Sequence, residues 1–190
     1  MGALHLTLAS ASPRRRDLIA RLGITPDAVT PADIDETPLS DERPRDYALR
    51  MGREKALAMS APGFVLAGDT VVAAGRRILP KTEDEDEALR CLKLLSGRRH
   101  TVLSSVVLRA PDGTLRERLN ENIVRFKSLS AEEIASYLAS DEWRGKAGGY
   151  AIQGAAEGLI QWIRGSHSGV MGLPLYETRT LLKSAGFAIG

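Results

Sequence analysis

The sequence predicts a mixed α/β fold, with helices on a sheet and two lobes that leave a cleft between them. Helical and strand-like patterns alternate early in the chain, which is typical of α/β proteins. A long antiparallel hairpin follows, because two strand-like runs are joined by the turn sequence Pro111-Asp112-Gly113-Thr114. No internal repeat, low-complexity segment or linker divides the sequence, so we expect residues 1–190 to form a single domain.

Composition and charge exclude several classes of protein. Of the 190 residues, 43% are hydrophobic and 26% are charged, which is ordinary for a globular domain. The formal net charge of +2 is too small for a general nucleic-acid binder, and it favours a small anionic ligand over a long polyanion. No apolar run approaches the roughly 20 residues of a membrane helix, and the N-terminus lacks a signal-peptide pattern. We therefore expect a soluble, cytoplasmic protein that binds neither nucleic acid nor membranes.

The single cysteine, Cys91, excludes a disulfide within the chain and a cysteine metal site. Cys91 lies in a helical pattern, which indicates a small core residue and a reducing compartment. The three histidines share no spacing that is typical of metal ligands, so we expect them to be structural or exposed.

The N-terminal segment combines a strand, a helix start and a cluster of arginines. A strand predicted over 4–9 is followed by a helix predicted over 13–22. Pro13 suits the first helical position, and Ser12 is a good N-cap because its hydroxyl can accept from the free N–H groups of the first turn. Free N–H groups and guanidinium groups both fit phosphate oxygens. Because residues 14–16 are all arginine, the segment is either a polyphosphate site or an ordinary capped helix with a solvated basic face.

A short strand, an acidic loop and a helix come next. Gly23 ends the first helix, and a second strand is predicted over 28–32. The proline-rich loop 31–44 contains five acidic residues: Asp33, Asp35, Glu36, Asp41 and Glu42. Such a loop is either solvated or brings a carboxylate back over the anion site, because loops often carry function. The spacing of apolar residues predicts a helix over 46–59.

A carboxylate in the middle of an apolar run is the clearest chemical signal in the sequence. Residues 64–74 predict a buried strand, and Asp69 interrupts it. A lone buried charge is costly unless it is paired or binds a metal, so a functional role explains Asp69 better than a structural one. The following elements are a hairpin turn at 75–77, a strand at 78–79 and a helix that runs from the acidic segment 82–87 to 96–97.

The second half of the chain alternates strands, helices and turns. Strands predicted over 101–109 and 115–126 form the central hairpin, and the capping-box sequence Ser130-Ala131-Glu132-Glu133 starts a helix over 130–139. Four glycines within 144–154 predict tight turns or close backbone approach. The remaining elements are a strand at 159–163, a loop at 165–169 and a helix from Pro174 to about residue 185.

These pieces permit hydrolysis of a bound triphosphate. A hard cation such as Mg²⁺ takes one or two carboxylates plus substrate phosphates, and Asp69 with one acid of the 33–36 loop can supply them. A carboxylate can also accept the proton of an attacking water, so Asp69 is either the base or a metal ligand. Thr70 and Gln153 each offer a donor and an acceptor to a base edge, although Gln153 is equally suited to stabilising a turn. Four cations can offset phosphate charge: Arg14, Arg15, Lys55 and Lys81.

Six short segments occur in a specific order and spacing along nearly the whole chain: LASASPRRR at 8–16, REKA at 53–56, GDTVV at 68–72, LSG at 95–97, KAGGYAIQG at 146–154 and GLPL at 172–175. Together they resemble the Maf family of nucleoside triphosphate pyrophosphatases. The resemblance implies a Maf/ITPase-like fold with an elongated mixed sheet, in one domain over residues 1–190. It also implies a homodimer and the Mg²⁺- or Mn²⁺-dependent hydrolysis of a nucleoside triphosphate to the monophosphate and pyrophosphate.

The resemblance further implies roles for individual residues. Asp69 falls on the family's proton acceptor, and Asp35 falls on the second acid of the metal site. The positions linked to the choice of base are Arg15, Thr70 and Gln153. The residues of the phosphate-and-metal pocket are Ser10, Arg14, Lys55 and Lys81. The form AGGYAIQG at 147–154 looks like the branch of the family that acts on dTTP and UTP.

Two alternatives to a dTTP and UTP pyrophosphatase stay open at this stage. One is a pyrophosphatase for 7-methyl-GTP, and the other is a nucleotide-binding regulator of cell division, acting at the septum, that binds without turnover. The intact set of Asp69, Lys55, Lys81 and Arg14 favours an enzyme, because a sensor does not need a base beside a metal.

Overall fold

A computed structural model describes residues 4–189. The strands are β1 (Leu6–Ala9), β2 (Ala28–Val29), β3 (Phe64–Ala74), β4 (Arg77–Leu79), β5 (Lys81–Thr82), β6 (Arg99–Arg109), β7 (Leu115–Phe126), β8 (Lys146–Ala147) and β9 (Ile160–Arg164). The helices are α1 (Pro13–Ala20), α2 (Pro44–Ala58), α3 (Glu85–Leu95), α4 (Ala131–Leu138), α5 (His167–Met171) and α6 (Leu175–Ser184), with a 3-10 helix at Ala155–Leu159.

Seven strands form one mixed sheet. Six of them lie in the order β2-β1-β3-β6-β7-β9, and β4 pairs with β3 beside this path. Strand β1 is parallel to both β2 and β3, whereas β3, β6, β7 and β9 are joined by antiparallel pairing. Strands β5 and β8 form a separate two-stranded sheet. The predicted mixed α/β class, with a long mixed sheet flanked by helices, is confirmed.

One edge of β3 is shared by two different strands, and this division creates a gap. Strand β1 pairs with β3 as far as Ala67, and β4 pairs with it only from Val72 onward. Within the described part of the chain, no strand covers residues 68–71 on that edge. The backbone of β3 is therefore open at the point where Asp69 and Thr70 lie.

The two faces of the sheet are covered by different helices. Helix α2 packs on one face, where Ala56 and Met51 contribute to two small apolar clusters with residues of β3 and β6. The larger core lies on the other face and includes side chains of α3, α5 and α6, such as Leu92, Val170 and Leu181. Cys91 is buried in this larger core, as predicted. Because successive residues of a strand point to opposite faces, Asp69 and Thr70 belong to different sides of the sheet.

Several predicted boundaries are wrong. The first strand begins at Leu6 rather than residue 4, and Thr7 is buried because β1 lies between two other strands. The second strand is only Ala28–Val29, and the first helix ends at Ala20. The pairing of Lys81–Thr82 with Lys146–Ala147 has no local pattern in the sequence and was not predicted.

The predicted loop at 165–169 is also wrong, because α5 begins there. Ser166 caps this helix by accepting a hydrogen bond from the N–H of Gly169 at 3.1 Å. Gly169 is needed for close approach to the strands, since a Cβ there would lie 2.9 Å from Asn122 Nδ2. The glycine therefore reflects close packing rather than a flexible loop. None of the helices within residues 4–189 combines the length and apolarity needed to cross a membrane.

Candidate active site

A cleft of about 620 Å³ lies over the open edge of β3. Its walls come from the β1–α1 junction, the middle of β3, the two-stranded sheet of β5 and β8, and the segment after α5. All but one of the predicted site residues line it: Ser10, Arg14, Arg15, Lys55, Asp69, Thr70, Lys81 and Gln153. The exception is Asp35. The N-terminal segment and the apolar run with its carboxylate, which are far apart in sequence, therefore meet in one place.

Asp69 is held by Lys55 on the α2 side of the sheet. Both side chains are buried, and Lys55 Nζ donates to Asp69 Oδ1 at 2.7 Å. Helix α2 approaches the sheet closely at Gly52, where an added Cβ would lie 2.6 Å from Ser105 Oγ. Lys55 follows Gly52 by about one helical turn, so this close approach brings the ammonium to the carboxylate. The buried charge that the sequence revealed is thus a paired one.

Glu36, and not Asp35, is the acid of the loop that reaches the cleft. Asp35 is exposed, and its Oδ1 accepts from the backbone N–H of Thr37 at 2.8 Å. Glu36 instead binds Lys55 Nζ at 2.8 Å and also pairs with Lys81. The reason is the alternation of extended backbone: Ile34 packs against a core cluster, so Glu36 also faces inward and Asp35 faces solvent. The structure therefore places Glu36, rather than the predicted Asp35, at the cleft.

The electrostatics of Glu36 follow from its two lysine partners. Burial opposes ionisation of this carboxyl, but hydrogen bonds from Lys55 and Lys81 outweigh it and lower its pKa to about 2. Two contacts from α2 fix the backbone of the same loop. Tyr47 Oη donates to the Glu36 carbonyl at 2.7 Å, and Arg50 Nη2 donates to the Thr37 carbonyl at 3.1 Å. Helix α2 thus holds both the ammonium and the loop that carries the second carboxylate.

The β1–α1 junction differs in detail from the prediction. Ser12 occupies the N-cap position of α1, but its side chain makes no capping hydrogen bond. Its backbone N–H instead donates to Ser10 Oγ at 3.1 Å, and Arg15 Nη1 donates to the same oxygen at 3.2 Å. Ser10 Oγ therefore accepts two hydrogen bonds and keeps its own proton available for a ligand in the cleft. Arg16 is exposed and lies outside the cleft lining.

The two remaining arginines behave differently. Arg15 is held by the protein, because its Nε donates to the Gly172 carbonyl at 2.8 Å and its Nη2 donates to Thr70 Oγ1 at 3.2 Å. Arg14 Nε is buried and has no hydrogen-bond partner among residues 4–189. Burial and the neighbouring charge of Arg15 lower the pKa of the Arg14 guanidinium. An anion beside Arg14 would satisfy that donor and favour its charged form.

Thr70 lies on the opposite face of β3 from Asp69, next to α5. Its Oγ1 is 3.1 Å from Ser104 Oγ and 3.4 Å from the Gly172 carbonyl. Gly172 has a φ of 124°, and an added Cβ would lie 3.2 Å from Thr70 Oγ1. A glycine is therefore required where the chain after α5 reaches the cleft. No pattern in the sequence indicates that Ser104 and Gly172 lie next to Thr70.

The glycine-rich segment 144–154 forms another part of the cleft wall. Its predicted tight turns are confirmed by positive φ angles at Gly145, Gly148 and Gly149. Gln153 is exposed within the cleft lining and has no hydrogen bond to any residue in the described range. Tyr150 also lines the cleft, and its Oη lies 2.8 Å from His100 Nε2 beneath the segment. Burial lowers the pKa of His100 to about 4, so this histidine is a neutral structural residue at neutral pH.

The donor set around Lys55 fits a hard divalent cation that also binds substrate. Glu36 and Asp69 both reach the same ammonium within 2.8 Å, so their carboxylates converge on one region. Mg²⁺ is commonly bound by one or two carboxylates together with phosphate oxygens. Within residues 4–189, no group of three or more His, Cys, Asp or Glu side chains is placed to hold a metal by itself.

The family of the chain follows from comparison with known proteins. A family model described as Maf-like protein matches residues 5–185. The chain belongs to the Maf family. Three relatives of this Maf chain share 60–63% identity with it. Each is named dTTP/UTP pyrophosphatase.

These relatives match the Maf chain over nearly its whole length. The protein of Novosphingobium aromaticivorans is 63% identical, over 97% of this chain and 94% of its own. The protein of Caulobacter vibrioides is 62% identical, over 96% of both chains. That of Rhodospirillum rubrum is 60% identical, over 97% of this chain and 90% of its own. Among solved structures, a nucleoside-triphosphatase / dITP/XTP pyrophosphatase from Mycobacterium abscessus is similar at 15% identity, with a TM-score of 0.45 over 95% of each chain.

Proposed function

We propose that this Maf protein hydrolyses dTTP and UTP, and modified forms of these pyrimidine nucleotides, to the nucleoside monophosphate and pyrophosphate. The observation that carries the proposal is the pair of carboxylates, Asp69 and Glu36, held by Lys55 at the floor of a strongly cationic cleft. The cleft lining contains six lysines and arginines against three acidic residues, although the whole chain carries a net charge of only +2. The names of the relatives supply the substrates.

The triphosphate would lie against the cationic wall of the cleft. Ser10 offers its hydroxyl proton, Arg14 offers a buried N–H that has no partner among residues 4–189, and Lys81 on β5 also lines the cleft. These donors would offset the charge of the phosphates, which is the main catalytic requirement in phosphoryl transfer. Arg15 would hold Ser10, Thr70 and the Gly172 carbonyl in place, because three of its N–H groups are bonded to them.

Asp69 would take the proton from the attacking water. Lys55 occupies Asp69 Oδ1, which leaves Oδ2 for the water, and a positioned carboxylate base contributes about 10²–10⁴-fold to a rate. Asp69 and Glu36 would also hold a divalent cation such as Mg²⁺ or Mn²⁺, which when bound polarises phosphoryl oxygens and lowers the pKa of water. Hydrolysis breaks the anhydride bond between the α- and β-phosphates, and the leaving pyrophosphate departs along the cationic wall.

The base would lie on the Thr70 side of β3. The amide of Gln153 has no hydrogen bond to residues 4–189, and both Gln153 and Thr70 line the cleft. A site that pairs with polar atoms of one base rejects another base, because its own buried groups would be left without partners.

We further propose that the chain acts in the cytoplasm as one domain over residues 1–190, and as a homodimer.

Pyrophosphate release tests the proposal directly. Purified protein would be assayed with Mg²⁺ or Mn²⁺ against dTTP, UTP, CTP, dATP, GTP and 7-methyl-GTP. Turnover confined to dTTP and UTP is the expected result. Turnover of 7-methyl-GTP alone would support the proposed reaction but reject dTTP and UTP as the substrates. No turnover of any nucleotide by folded protein with metal present would favour the nucleotide-binding regulator of cell division instead.

A further inference from the structure

A chain of hydrogen bonds behind Thr70 has a fixed direction. Ser104 lies on β6 directly opposite Thr70 and is completely buried. Its Oγ is 2.6 Å from the Gly169 carbonyl of α5 and 3.1 Å from Thr70 Oγ1. A carbonyl oxygen can only accept, and a serine hydroxyl has only one proton. Ser104 therefore donates its proton to Gly169 and can only accept from Thr70.

This direction determines what Thr70 can offer to a ligand. Arg15 Nη2 donates to Thr70 Oγ1, so one acceptor position of that hydroxyl is used. The proton of Thr70 is directed to Ser104 Oγ, with the Gly172 carbonyl as a second and longer alternative at 3.4 Å. Both of these partners belong to the protein. The remaining capacity of Thr70 Oγ1 is one acceptor position, so it presents an acceptor and no donor to the cleft.

We propose that Ser104 is a specificity-determining positioning residue, which makes Thr70 an acceptor for the N3–H group of uracil and thymine. This inference rests on the proposed function and extends it to the recognition of the base. Uracil and thymine carry one donor on this edge, the N3–H group between two carbonyls. Cytosine has an unprotonated N3, which would place a lone pair against the lone pair of Thr70. An unpaired acceptor of this kind should cost roughly 5-fold to 150-fold in selectivity.

Arg15 supplies the complementary donor next to this acceptor. A guanidinium has five N–H groups, and three of those in Arg15 are bonded to Gly172, Ser10 and Thr70. One N–H of Nη1 and one of Nη2 have no hydrogen-bond partner among residues 4–189, and Nη2 is the nitrogen that bonds the Thr70 oxygen. An acceptor flanked by a donor matches an N3–H group flanked by a carbonyl. The sequence suggested that Thr70 offers both a donor and an acceptor, and the hydrogen bonds of Ser104 remove the donor.

The test compares kcat/KM for dTTP and dCTP, which share the same sugar and triphosphate. In Ser104→Ala the proton of Thr70 loses its nearer acceptor and can turn to N3 of cytosine, so the dTTP:dCTP ratio should fall about tenfold or more. Ser104→Thr keeps the hydroxyl and should retain most of the ratio. Ser105→Ala is the matched control, because Ser105 is an equally buried neighbour whose Oγ accepts from the Asp69 N–H on the other face. Ser105→Ala should lower kcat/KM for dTTP and dCTP by the same factor and leave their ratio unchanged.

The outcomes separate this inference from the proposed function. If the wild type prefers dTTP and Ser104→Ala keeps the same ratio, the role of Ser104 is refuted while the enzyme assignment stands. If the wild type turns over no nucleotide, the proposed function is refuted, and the inference that rests on it is refuted as well. Should Ser104→Ala fold poorly, Ser104→Cys serves instead, because a thiol sulfur is a weaker acceptor for the proton of Thr70. An unchanged ratio in a folded Ser104→Cys protein would refute the inference equally.

Discussion

Replacing Gly52 by alanine should disturb the site through two routes. The added Cβ would lie 2.6 Å from Ser105 Oγ and 3.0 Å from Val107 Cγ2, whereas ordinary contact begins at 3.4 Å. One way to relieve the overlap is for α2 to move away from the sheet, which carries Lys55 away from Asp69. The other is for Ser105 to rotate, which removes the acceptor of the Asp69 N–H at 3.1 Å. Both routes reach Asp69.

The size of the effect can be worked from these distances. To reach an ordinary contact distance, the added Cβ and Ser105 Oγ must move apart by roughly 0.8 Å. Overpacking of this kind costs about 1–3 kcal/mol of stability. Alanine gains up to about 1 kcal/mol over glycine in a helix interior, so the net loss should be about 1–2 kcal/mol. In a chain of 190 residues, that loss lowers the melting temperature by roughly 2–8 °C. A misplacement approaching 1 Å costs up to about a hundredfold in rate, so activity should fall more than stability.

Thermal unfolding and dTTP turnover would be measured together for Gly52→Ala and for a control. Gly158→Ala is a suitable control, because nothing lies within 4 Å of a Cβ added at Gly158. We expect the control to match the wild type in both assays. Wild-type turnover by Gly52→Ala, together with an unchanged melting temperature, would refute the argument that close approach of α2 positions Lys55.

Three further predictions concern the carboxylates and the buried histidine. Asp69→Asn should remove most activity but leave the melting temperature close to that of the wild type, because Glu36 still pairs with Lys55; full turnover would reject Asp69 as the base. Tyr47→Phe removes the hydrogen bond to the Glu36 carbonyl, and should raise the metal concentration for half-maximal rate about fivefold; an unchanged metal titration would contradict this. Burial lowers the pKa of His100 from 6.5 to about 4, so its contribution to stability is complete above pH 6.5 and is lost as the pH falls toward 4. Denaturant unfolding should show a loss of roughly 2–3 kcal/mol between pH 6.5 and 4.5 that His100→Phe largely abolishes, and an equal loss in that variant would exclude His100 as the cause.

The sequence predicted correctly those elements whose limits are set by residues close to them in the chain. The strand at 64–74 and the strand at 115–126 match β3 and β7 to the residue. Each is a long run bounded by turn residues, so its limits are encoded nearby. The capping box of Ser130 and Glu133 is also confirmed, since both of its hydrogen bonds lie within four residues. The expectation that the buried carboxylate of Asp69 needs a partner also followed from a local signal, and the structure pairs it with Lys55.

The errors arose where distant parts of the chain compete for the same atoms. The choice between Asp35 and Glu36 depends on Ile34 packing against a cluster that includes Tyr47, a contact between the loop and a later helix. The direction of the hydrogen bonds at Ser104 depends on a carbonyl 65 residues away. No short window of sequence contains these partners.

Two adjacent residues of β3 serve different functions on opposite faces of the sheet. Asp69 faces α2, which supplies Lys55 and holds the loop of Glu36, and Thr70 faces α5 through Ser104. The strand is open only over 68–71, so a nucleotide must reach both faces across this short edge. Changes on the α2 side should therefore lower turnover of every nucleotide by a similar factor. Changes on the α5 side should instead alter the ratio between bases, because they leave the carboxylates and their lysine in place.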